Sequence, residues 1–242
     1  MNNDLYSDYI RREPHPRAAV LIKKWHGRLL RRALLEVSSQ PLSVLEIGPG
    51  HGYFAEQCRE QGLSYEFCDT SPAVMQKMSD LGFQGHLGLL HEVEDKLSKY
   101  DLIWMSHVLE HSPTWVDARS LVATASSLLT PKGVLVVVSP DVLSWRREFF
   151  NVDWSHGYPT AVRNVAQLFS DVGLSEIKGL HHRNASTSIV QRSVFALLTA
   201  LPHGLIDRLL TPKRSKIGDG FLYSWKAVFG WRQIMVIGNR EN

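Results

Sequence analysis

The chain has 242 residues, enough for one sizeable hydrophobic core or for a core with a small cap. Hydrophobic residues make up 44% and charged residues 21% of the sequence, which argues against intrinsic disorder. The net charge of +3 is too small to indicate a nucleic-acid-binding protein by itself. The spacing of the two cysteines, Cys58 and Cys68, matches neither a metal knuckle nor a redox pair, so we expect a reducing compartment.

The first 40 residues are predicted to form an N-terminal helical segment. Apolar residues recur at helical spacing over residues 17–38, with basic residues between them, which indicates an amphipathic helix. The basic residues suit an anionic substrate or a membrane surface, but a solvated helix face explains such clusters more often. The segment lacks the apolar run of a signal peptide, and no stretch reaches the roughly 20 apolar residues of a membrane span. We therefore expect a cytoplasmic protein.

From residue 41 onward, predicted strands and helices alternate. The predicted strands are residues 43–47, 64–68, 83–87, 100–105, 133–139, 175–180 and 233–237. The helices between them are residues 53–61, 72–81, 115–129 and 161–172. Such alternation, with short strands that are apolar on both faces, predicts an α/β fold: a doubly wound, seven-stranded, mainly parallel sheet covered by helices. The core of this fold is assigned to residues 41–182.

The pattern loosens after residue 182. Residues 191–210 keep a helical periodicity that is interrupted at Pro202, and residues 211–220 are basic and contain glycine. We predict a helical insertion over residues 183–230, followed by the last strand and tail in residues 231–242. The insertion is either a helical pair packed on the sheet, a lid over the substrate, or an interfacial helix that meets anionic headgroups. The last alternative depends on four basic residues: Arg208, Lys213, Arg214 and Lys216.

The strongest functional signal is the turn after the first strand, where residues 44–52 have the sequence VLEIGPGHG. Gly48, Gly50 and Gly52 lack the Cβ atoms that would keep a ligand away from the backbone. The next helix would point free N–H groups at that ligand. The spacing G-x-G-x-G differs from the dinucleotide fingerprint, and no Lys-Ser/Thr pair follows as in a P-loop. The turn therefore predicts a nucleotide-like cofactor and disfavours NAD, FAD and a P-loop phosphate site.

The second strand ends in Asp69, about 20 residues after the turn, which is the distance at which such folds bind ribose hydroxyls. Thr70, Ser71 and Pro72 follow, so Asp69 taken alone would be interpreted as a helix cap. With the glycine turn upstream, we favour ribose binding.

These motifs together resemble the class I S-adenosylmethionine-dependent methyltransferases over about residues 40–182. Residues 44–52 resemble the family's first motif, in which the glycines approach the methionine part of the cofactor and Glu46 supports the turn. Residues 68–71 (CDTS) resemble its second motif, with Asp69 on the ribose. Residues 100–111 (YDLIWMSHVLEH) are similar to the fourth strand and its loop. Residues 129–138 (LTPKGVLVVV) are similar to the fifth strand, with Lys132 and Gly133 where the family has two glycines.

The resemblance implies S-adenosyl-L-methionine as the cofactor. The residues it implies for cofactor binding are Glu46, Gly48, Gly50, Gly52, Asp69, Thr70, Leu87, Ser106 and His107. One position departs from the pattern, because many members carry an aspartate after strand three that holds the adenine amino group. This chain has GHLGLL at residues 85–90, so that contact must come from the backbone or be absent.

Methyl transfer to an oxygen requires a positioned acceptor and removal of its proton, which a nearby histidine can accept. Residues 151–159 (NVDWSHGYP) resemble the Asp/Glu-x-x-His loop of ubiquinone-type and glycan O-methyltransferases. This favours His156 as the base or acceptor-orienting group, with Asp153 orienting or stabilising its imidazole. His111 is the next candidate and is equally well explained by packing.

Two further histidines, His181 and His182, end the sixth strand and are expected at the surface or in a supporting position. No metal site is predicted, because no two histidines show ligand spacing beside a carboxylate pair.

The resemblance therefore implies an enzyme that methylates an oxygen of a small-molecule or glycan-type acceptor, including acceptors that carry phosphate or lipid. The alternatives are N- or C-methylation of another metabolite, or a non-catalytic cofactor-binding partner subunit. RNA methylation is weakened by the low net charge, so no nucleic-acid partner is expected. Peripheral membrane contact and the oligomeric state are left open.

Overall fold

The computed structural model describes residues 16–37, 42–183, 203–210 and 231–241. Its strands are β1 Ser43–Ile47, β2 Ser64–Asp69, β3 Gly85–Leu87, β4 Tyr100–Ser106, β5 Leu129–Pro140, β6 Leu174–His182 and β7 Gln233–Arg240. They form one sheet in the order β3-β2-β1-β4-β5-β7-β6. Strands β1 to β5 are parallel, and β7 runs antiparallel to both β5 and β6. The predicted doubly wound, seven-stranded, mainly parallel sheet is confirmed.

The described helices connect these strands on both faces of the sheet. They are α1 Pro16–Leu34, α2 Tyr53–Glu60, α3 Pro72–Asp80, α4 Leu90–Val93, α5 Trp115–Ser127, α6 Val142–Trp145, α7 Glu148–Asn151, α8 Val162–Asp171 and α9 His203–Leu210. Short 3-10 turns occupy Glu94–Lys96 and Leu109–His111. The longer helices of the core agree with the prediction to within about two residues. Helices α4, α6 and α7 were not predicted, because four residues are too few to display a hydrophobic period.

The sheet is buried on both faces, and β5 shows this best. Leu135 and Val137 pack into one apolar cluster, which α5 and α8 cover. Val134, Val136 and Val138 pack into the opposite cluster, to which α1 contributes Trp25, Leu29, Leu30 and Ala33. Burial on both sides is the physical reason why this strand is apolar without alternation.

Strand β5 begins at Leu129, earlier than the predicted start at residue 133. Leu129 already pairs with Tyr100, and the register then shifts before Leu102 pairs with Val134. Lys132 has a φ of 63°, the left-handed conformation that glycine adopts most easily. The segment that looked like a turn in the sequence is therefore an irregularity within the strand.

The last two strands are also longer than predicted. Pairs from Leu174 with Arg240 to His182 with Gln233 join β6 to β7, with one register shift between them. Strand β6 lies at the edge of the sheet and alternates between covered and exposed residues, so its ends carry little hydrophobic signal.

Only part of the predicted insertion lies among the described residues. Helix α9 falls within it, and β7 follows it as expected. Lys213, Arg214 and Lys216 lie outside the described residues, as does the side chain of Arg208. Within the described ranges, no helix has the length and apolar character needed to cross a membrane.

Candidate functional site

The glycine turn joins β1 to α2 at the point where the strand order reverses between β1 and β4. Gly48, Gly50 and Gly52 have φ values of 71°, 53° and 78°, so all three use left-handed backbone. A Cβ on Gly48 would lie 2.6 Å from Cγ2 of Val108, in the loop after β4. The turn therefore requires glycine both for its conformation and for its contact with that loop. Ligands of open α/β sheets bind at this kind of strand-order reversal.

Glu46 supports the turn from below. Its side chain is 1% exposed, and Oε2 accepts a hydrogen bond of 2.5 Å from the hydroxyl of Tyr65 on β2. Burial raises the pKa of Glu46 to about 8, although the bond from Tyr65 acts in the opposite direction. The hydrogen bond links β1 to β2 directly before the turn, and the supporting role of Glu46 stays a prediction.

Asp69 ends β2, and Ser71 is the N-cap residue of α3. Asp69 Oδ1 accepts the Ser71 N–H at 2.8 Å, and Ser71 Oγ accepts the Val74 N–H at 3.5 Å. The capping position itself therefore belongs to Ser71. Burial raises the pKa of Asp69 to about 6, against the effect of the two backbone N–H groups that follow it. The predicted position at the carboxyl end of β2 is correct, and ribose binding remains a prediction.

A pocket of about 410 Å³ lies beside Asp69, between the ends of β2 and β3. It is lined by Thr70, Pro72, Leu87, Gly88, Leu89 and Glu92. Thr70 and Leu87 were predicted to bind the cofactor, whereas Leu89 and Glu92 were missed. Leu87 and Leu89 are about half exposed, at 52% and 50%, so both offer apolar surface to a flat ring. The carboxylate of Glu92 accepts the Leu89 N–H at 2.8 Å and is the acidic group of this pocket.

The loop after β4 starts with Ser106 and His107. Ser106 Oγ is buried and has no hydrogen-bond partner among the described residues. His107 has a φ of 58°, and its N–H donates to the carbonyl of Val138 at 2.9 Å. Its ring Nδ1 lies 3.1 Å from Oε1 of Glu110. His107, predicted to bind the cofactor, is thus held against a carboxylate that sequence analysis did not select.

Glu110 is fully buried at the centre of this loop. Oε2 accepts a bond of 2.8 Å from Ser139 Oγ, at the end of β5. Its backbone carbonyl accepts the N–H groups of Gly157 and Tyr158, at 2.9 and 3.1 Å. Burial acts to raise the pKa of Glu110, but hydrogen bonding and charge interaction with the neighbouring histidines outweigh it and lower the pKa. Glu110 therefore remains an ionised carboxylate that joins the loops after β4 and β5.

His111 is connected to Asp153 through a serine. Ser155 Oγ donates to Asp153 Oδ1 at 2.6 Å and lies 2.8 Å from Nδ1 of His111. Because the Ser155 hydroxyl donates its only proton to Asp153, the oxygen of that hydroxyl accepts the Nδ1–H of His111. Burial is the main cause that lowers the pKa of His111, which favours the neutral ring. Burial would raise the pKa of Asp153, but the two bonds from Ser155 lower it overall.

His156 is oriented by a different group from the one predicted. Its Nδ1 lies 2.5 Å from the carbonyl oxygen of Phe149, which can only accept, so Nδ1 carries the proton. The orienting role predicted for Asp153 is not seen, because its carboxylate bonds to Ser155. The alternative role, stabilisation of His156 by charge, stays a prediction, and the two residues do interact electrostatically. The His111 and His156 rings nevertheless meet edge to face, with centroids 4.9 Å apart.

Of the two histidines at the end of β6, His181 is exposed and His182 is largely covered by α1. Trp25 Nε1 donates to His182 Nδ1 at 3.2 Å. Burial lowers the pKa of His182 to about 4, so the ring is neutral. Their predicted supporting or surface character agrees with these positions.

Comparisons with known proteins agree with this geometry. Residues 20–178, well over half of the chain, match the profile of a family described as a methyltransferase domain. A tRNA 5-carboxymethoxyuridine methyltransferase of Escherichia coli (strain K12) is 32% identical over 116 residues, which are 44% of this chain and 43% of the relative. The chain thus matches less than half of that relative's length.

Solved structures share the fold. A SAM-dependent methyltransferase from Archaeoglobus fulgidus aligns over 99% of this chain and 100% of its own, with a TM-score of 0.63 and 17% identity. A Haemonchus contortus phosphoethanolamine N-methyltransferase 2, in complex with phosphomonomethylethanolamine and S-adenosylhomocysteine, aligns over 90% of this chain and 53% of its own. Its TM-score is 0.59 and its identity 14%.

The chain belongs to the methyltransferase family whose profile it matches. Its fold is that of the S-adenosylmethionine-dependent methyltransferases with known structures, in agreement with the class I resemblance of the sequence. The residues present fit S-adenosylmethionine. Three features lie along the strand ends: the left-handed glycines after β1, the carboxylate of Asp69 at the end of β2, and the partly apolar pocket beside it.

Proposed function

We propose that this methyltransferase transfers the methyl group of S-adenosylmethionine to an oxygen of a small-molecule or glycan-type acceptor. The observation that carries the proposal is the pair of histidines, His111 and His156, whose Nδ1 atoms are both held as donors. In that tautomer, each ring has its basic lone pair on Nε2. Such a lone pair can accept the proton that an oxygen acceptor must lose.

The position of the pair supports the same conclusion. His111 follows β4, and His156 follows β5, so both lie beyond the carboxyl ends of parallel strands, where α/β folds bind substrates. Val108, three residues before His111, is the residue that a side chain on Gly48 would strike. The loop that carries His111 therefore packs against the turn that is predicted to receive the methionine part of the cofactor.

Exposed aromatic surface near His156 supports a ring-shaped acceptor. Trp154 is 77% exposed and Phe150 is 51% exposed, although large aromatic side chains usually bury most of their area. Both flank the loop that holds His156. A sugar ring or another flat acceptor could cover these faces, which supports the glycan-type and small-molecule classes.

A second candidate is an oxygen carried by a tRNA nucleoside. The Escherichia coli relative, 32% identical over 116 residues, is a tRNA 5-carboxymethoxyuridine methyltransferase. The sequence alone argued against a nucleic-acid partner on the basis of its net charge, and this relative is the observation that favours one.

Cys58 and Cys68 are buried and form no disulfide, which supports the proposed cytoplasmic location for either substrate.

The test is a transfer assay with S-adenosylmethionine labelled in its methyl group. Separate reactions contain hydroxylated aromatic compounds, free and lipid-linked oligosaccharides, amine metabolites, and bulk tRNA. We expect an O-methylated product in the reactions with small-molecule or glycan acceptors. This product should resist alkali and acid, and mass spectrometry identifies it. Transfer confined to tRNA would select the second candidate, and transfer confined to the amine arm would overturn both.

A further inference from the structure

Three potential metal ligands meet between the loops after β4 and β5. One carboxylate oxygen of Glu110 and one ring nitrogen each of His111 and His156 all lie within 4.8 Å of one another. An ion bound at about 2.0–2.2 Å from each atom would need them roughly 3–3.5 Å apart. Atoms that lie within 4.8 Å of one another without an ion are therefore close to that spacing.

The hydrogen bonds around the two histidines are those that accompany metal ligation. A ligating histidine almost always donates its other ring N–H to a carbonyl or carboxylate, which fixes the tautomer. His156 donates from Nδ1 to the carbonyl of Phe149, and His111 donates from Nδ1 to Ser155, which is held by Asp153. In both rings the bond to an ion therefore falls to Nε2.

The third ligand supplies the negative charge. Glu110 has no exposed surface, yet it carries no lysine or arginine partner among its described contacts, which are Ser139 and His107. A buried carboxylate needs hydrogen-bond donors or positive charge as compensation, and an ion would add to what Ser139 and the neighbouring histidines supply. A divalent ion would provide that compensation and would leave room for further ligands.

We propose that Glu110, His111 and His156 bind a divalent first-row transition-metal ion of the zinc type. Two imidazoles and one carboxylate suit such an ion, whereas magnesium and calcium prefer sites made of oxygen ligands alone. Three protein ligands leave at least one coordination position open, as in catalytic zinc sites. Asp153 and Ser155 act as positioning residues for His111.

The open position gives the ion a role in catalysis, and this role rests on the proposed function. An acceptor hydroxyl bound to the ion loses its proton to solvent more easily, because the ion stabilises the oxyanion. The oxygen then forms the new O–CH₃ bond as the S–CH₃ bond of the sulfonium breaks, which leaves a neutral sulfide and a methyl ether. The Nε2 lone pairs that accept the proton in the metal-free protein bind the ion in the metal-bound protein, where the proton of the acceptor passes to solvent instead.

The first measurement is metal binding by the full chain, freed of affinity tags and treated with a chelator. Zn²⁺ is titrated by calorimetry and Co²⁺ by visible absorption. We expect one ion per chain, bound with low-micromolar or tighter affinity. Co²⁺ should show d–d bands, and their intensity reports the coordination number. Absence of any binding tighter than about 100 μM would overturn the proposal.

Three variants and one control locate the ion. His111→Ala and His156→Ala should each weaken Zn²⁺ binding by more than about 100-fold, and Ser155→Ala by about 10- to 100-fold, the range for outer-shell groups. His86→Ala is the matched control, because His86 also pairs with a glutamate, Glu66, at 2.7 Å. It should bind the ion as the parent does. Parent-like affinity in the double variant His111→Ala/His156→Ala would show that the ion binds elsewhere.

A second titration, with S-adenosylhomocysteine, separates this inference from the proposed function. All variants should retain cofactor affinity, which also shows that they fold. Loss of methyl transfer on chelation, restored by Zn²⁺ or Co²⁺, is expected. Full transfer by the metal-free protein would overturn the catalytic role of the ion and leave the histidines as the proton acceptors. Metal binding without transfer to any oxygen acceptor would instead contradict the proposed function.

Discussion

The two ends of the proposed active site, the cofactor end and the acceptor end, are built in different ways. The cofactor end is one continuous piece of backbone, in which β1, three left-handed glycines and α2 follow each other directly. The acceptor end consists of side chains from two loops, joined by hydrogen bonds from Gly157 and Tyr158 to the carbonyl of Glu110. Backbone geometry is encoded locally by glycine, whereas a side-chain cluster depends on where the sheet places each loop.

This difference suggests how the two ends respond to mutation. Changes at the acceptor end should alter turnover and leave the cofactor bound, because Glu110, His111 and His156 lie outside the glycine turn. Changes at the cofactor end should alter binding or folding, because the turn is also packed against the loop after β4. The following predictions test that separation, beginning with the largest effect.

Replacing His156 by alanine should lower turnover by about 100- to 10,000-fold, the usual contribution of a group that assists proton removal. The cofactor affinity should stay within about twofold of the parent value, since the contacts of His156 with described residues are to Asp153, Phe149 and His111, outside the turn. Single-turnover kinetics and calorimetry with S-adenosylhomocysteine measure the two effects separately. His181→Ala, at an exposed position, is the control. Weakened cofactor binding in His156→Ala would show that the two ends are not independent.

Replacing Gly48 by alanine should destabilise the fold by about 2–4 kcal/mol, from left-handed strain and from overpacking against Val108. Gly62 is a matched control, because its φ of 68° is nearly the same and a Cβ there would meet nothing within 4 Å. Gly62→Ala should therefore cost only about 1 kcal/mol, the strain alone. Urea denaturation measures both. Equal losses at the two positions would mean that the loop after β4 does not press on the turn.

Replacing Asp69 by alanine should weaken cofactor binding by about 1.5–3 kcal/mol, the loss expected for hydrogen bonds to a charged acceptor. The fold should persist, because Asp69 ends a strand and Ser71 remains to cap α3. Calorimetry with S-adenosylmethionine gives the change, and Asp95→Ala, at an exposed position, serves as the control. Parent-like affinity in Asp69→Ala would assign the residue to the local turn alone.

The smallest expected effect is a pH dependence of cofactor binding. The pKa of Asp69 is raised by burial to about 6, and protonation removes the negative charge that strengthens its hydrogen bonds from two ribose hydroxyls. Affinity should therefore be full above pH 7 and fall about tenfold as the pH drops from 7 to 5. In Asp69→Ala this dependence should disappear. The same slope in parent and variant would assign the titration to another group.

The sequence by itself determined the fold and the glycine turn of the proposed cofactor end. The apolar strands, the alternation with helices and the glycine turn are local patterns, and they predicted seven strands in agreement with the structure. The boundaries of β5, β6 and β7 were less accurate, because pairing extends strands into residues with no hydrophobic signal. Helices of four residues left no period to detect.

The tertiary structure alone decided the acceptor end. Glu110 and His111 follow β4, and Ser155 and His156 follow β5, so their proximity results from the parallel pairing of those strands. Sequence spacing suggested that Asp153 would orient His156, but three-dimensional packing gave that place to the carbonyl of Phe149. Asp153 instead accepts a hydrogen bond from Ser155, and Ser155 in turn bonds to His111. A pattern along the chain can specify backbone conformation, but contacts between loops are specified only when the sheet brings their ends together.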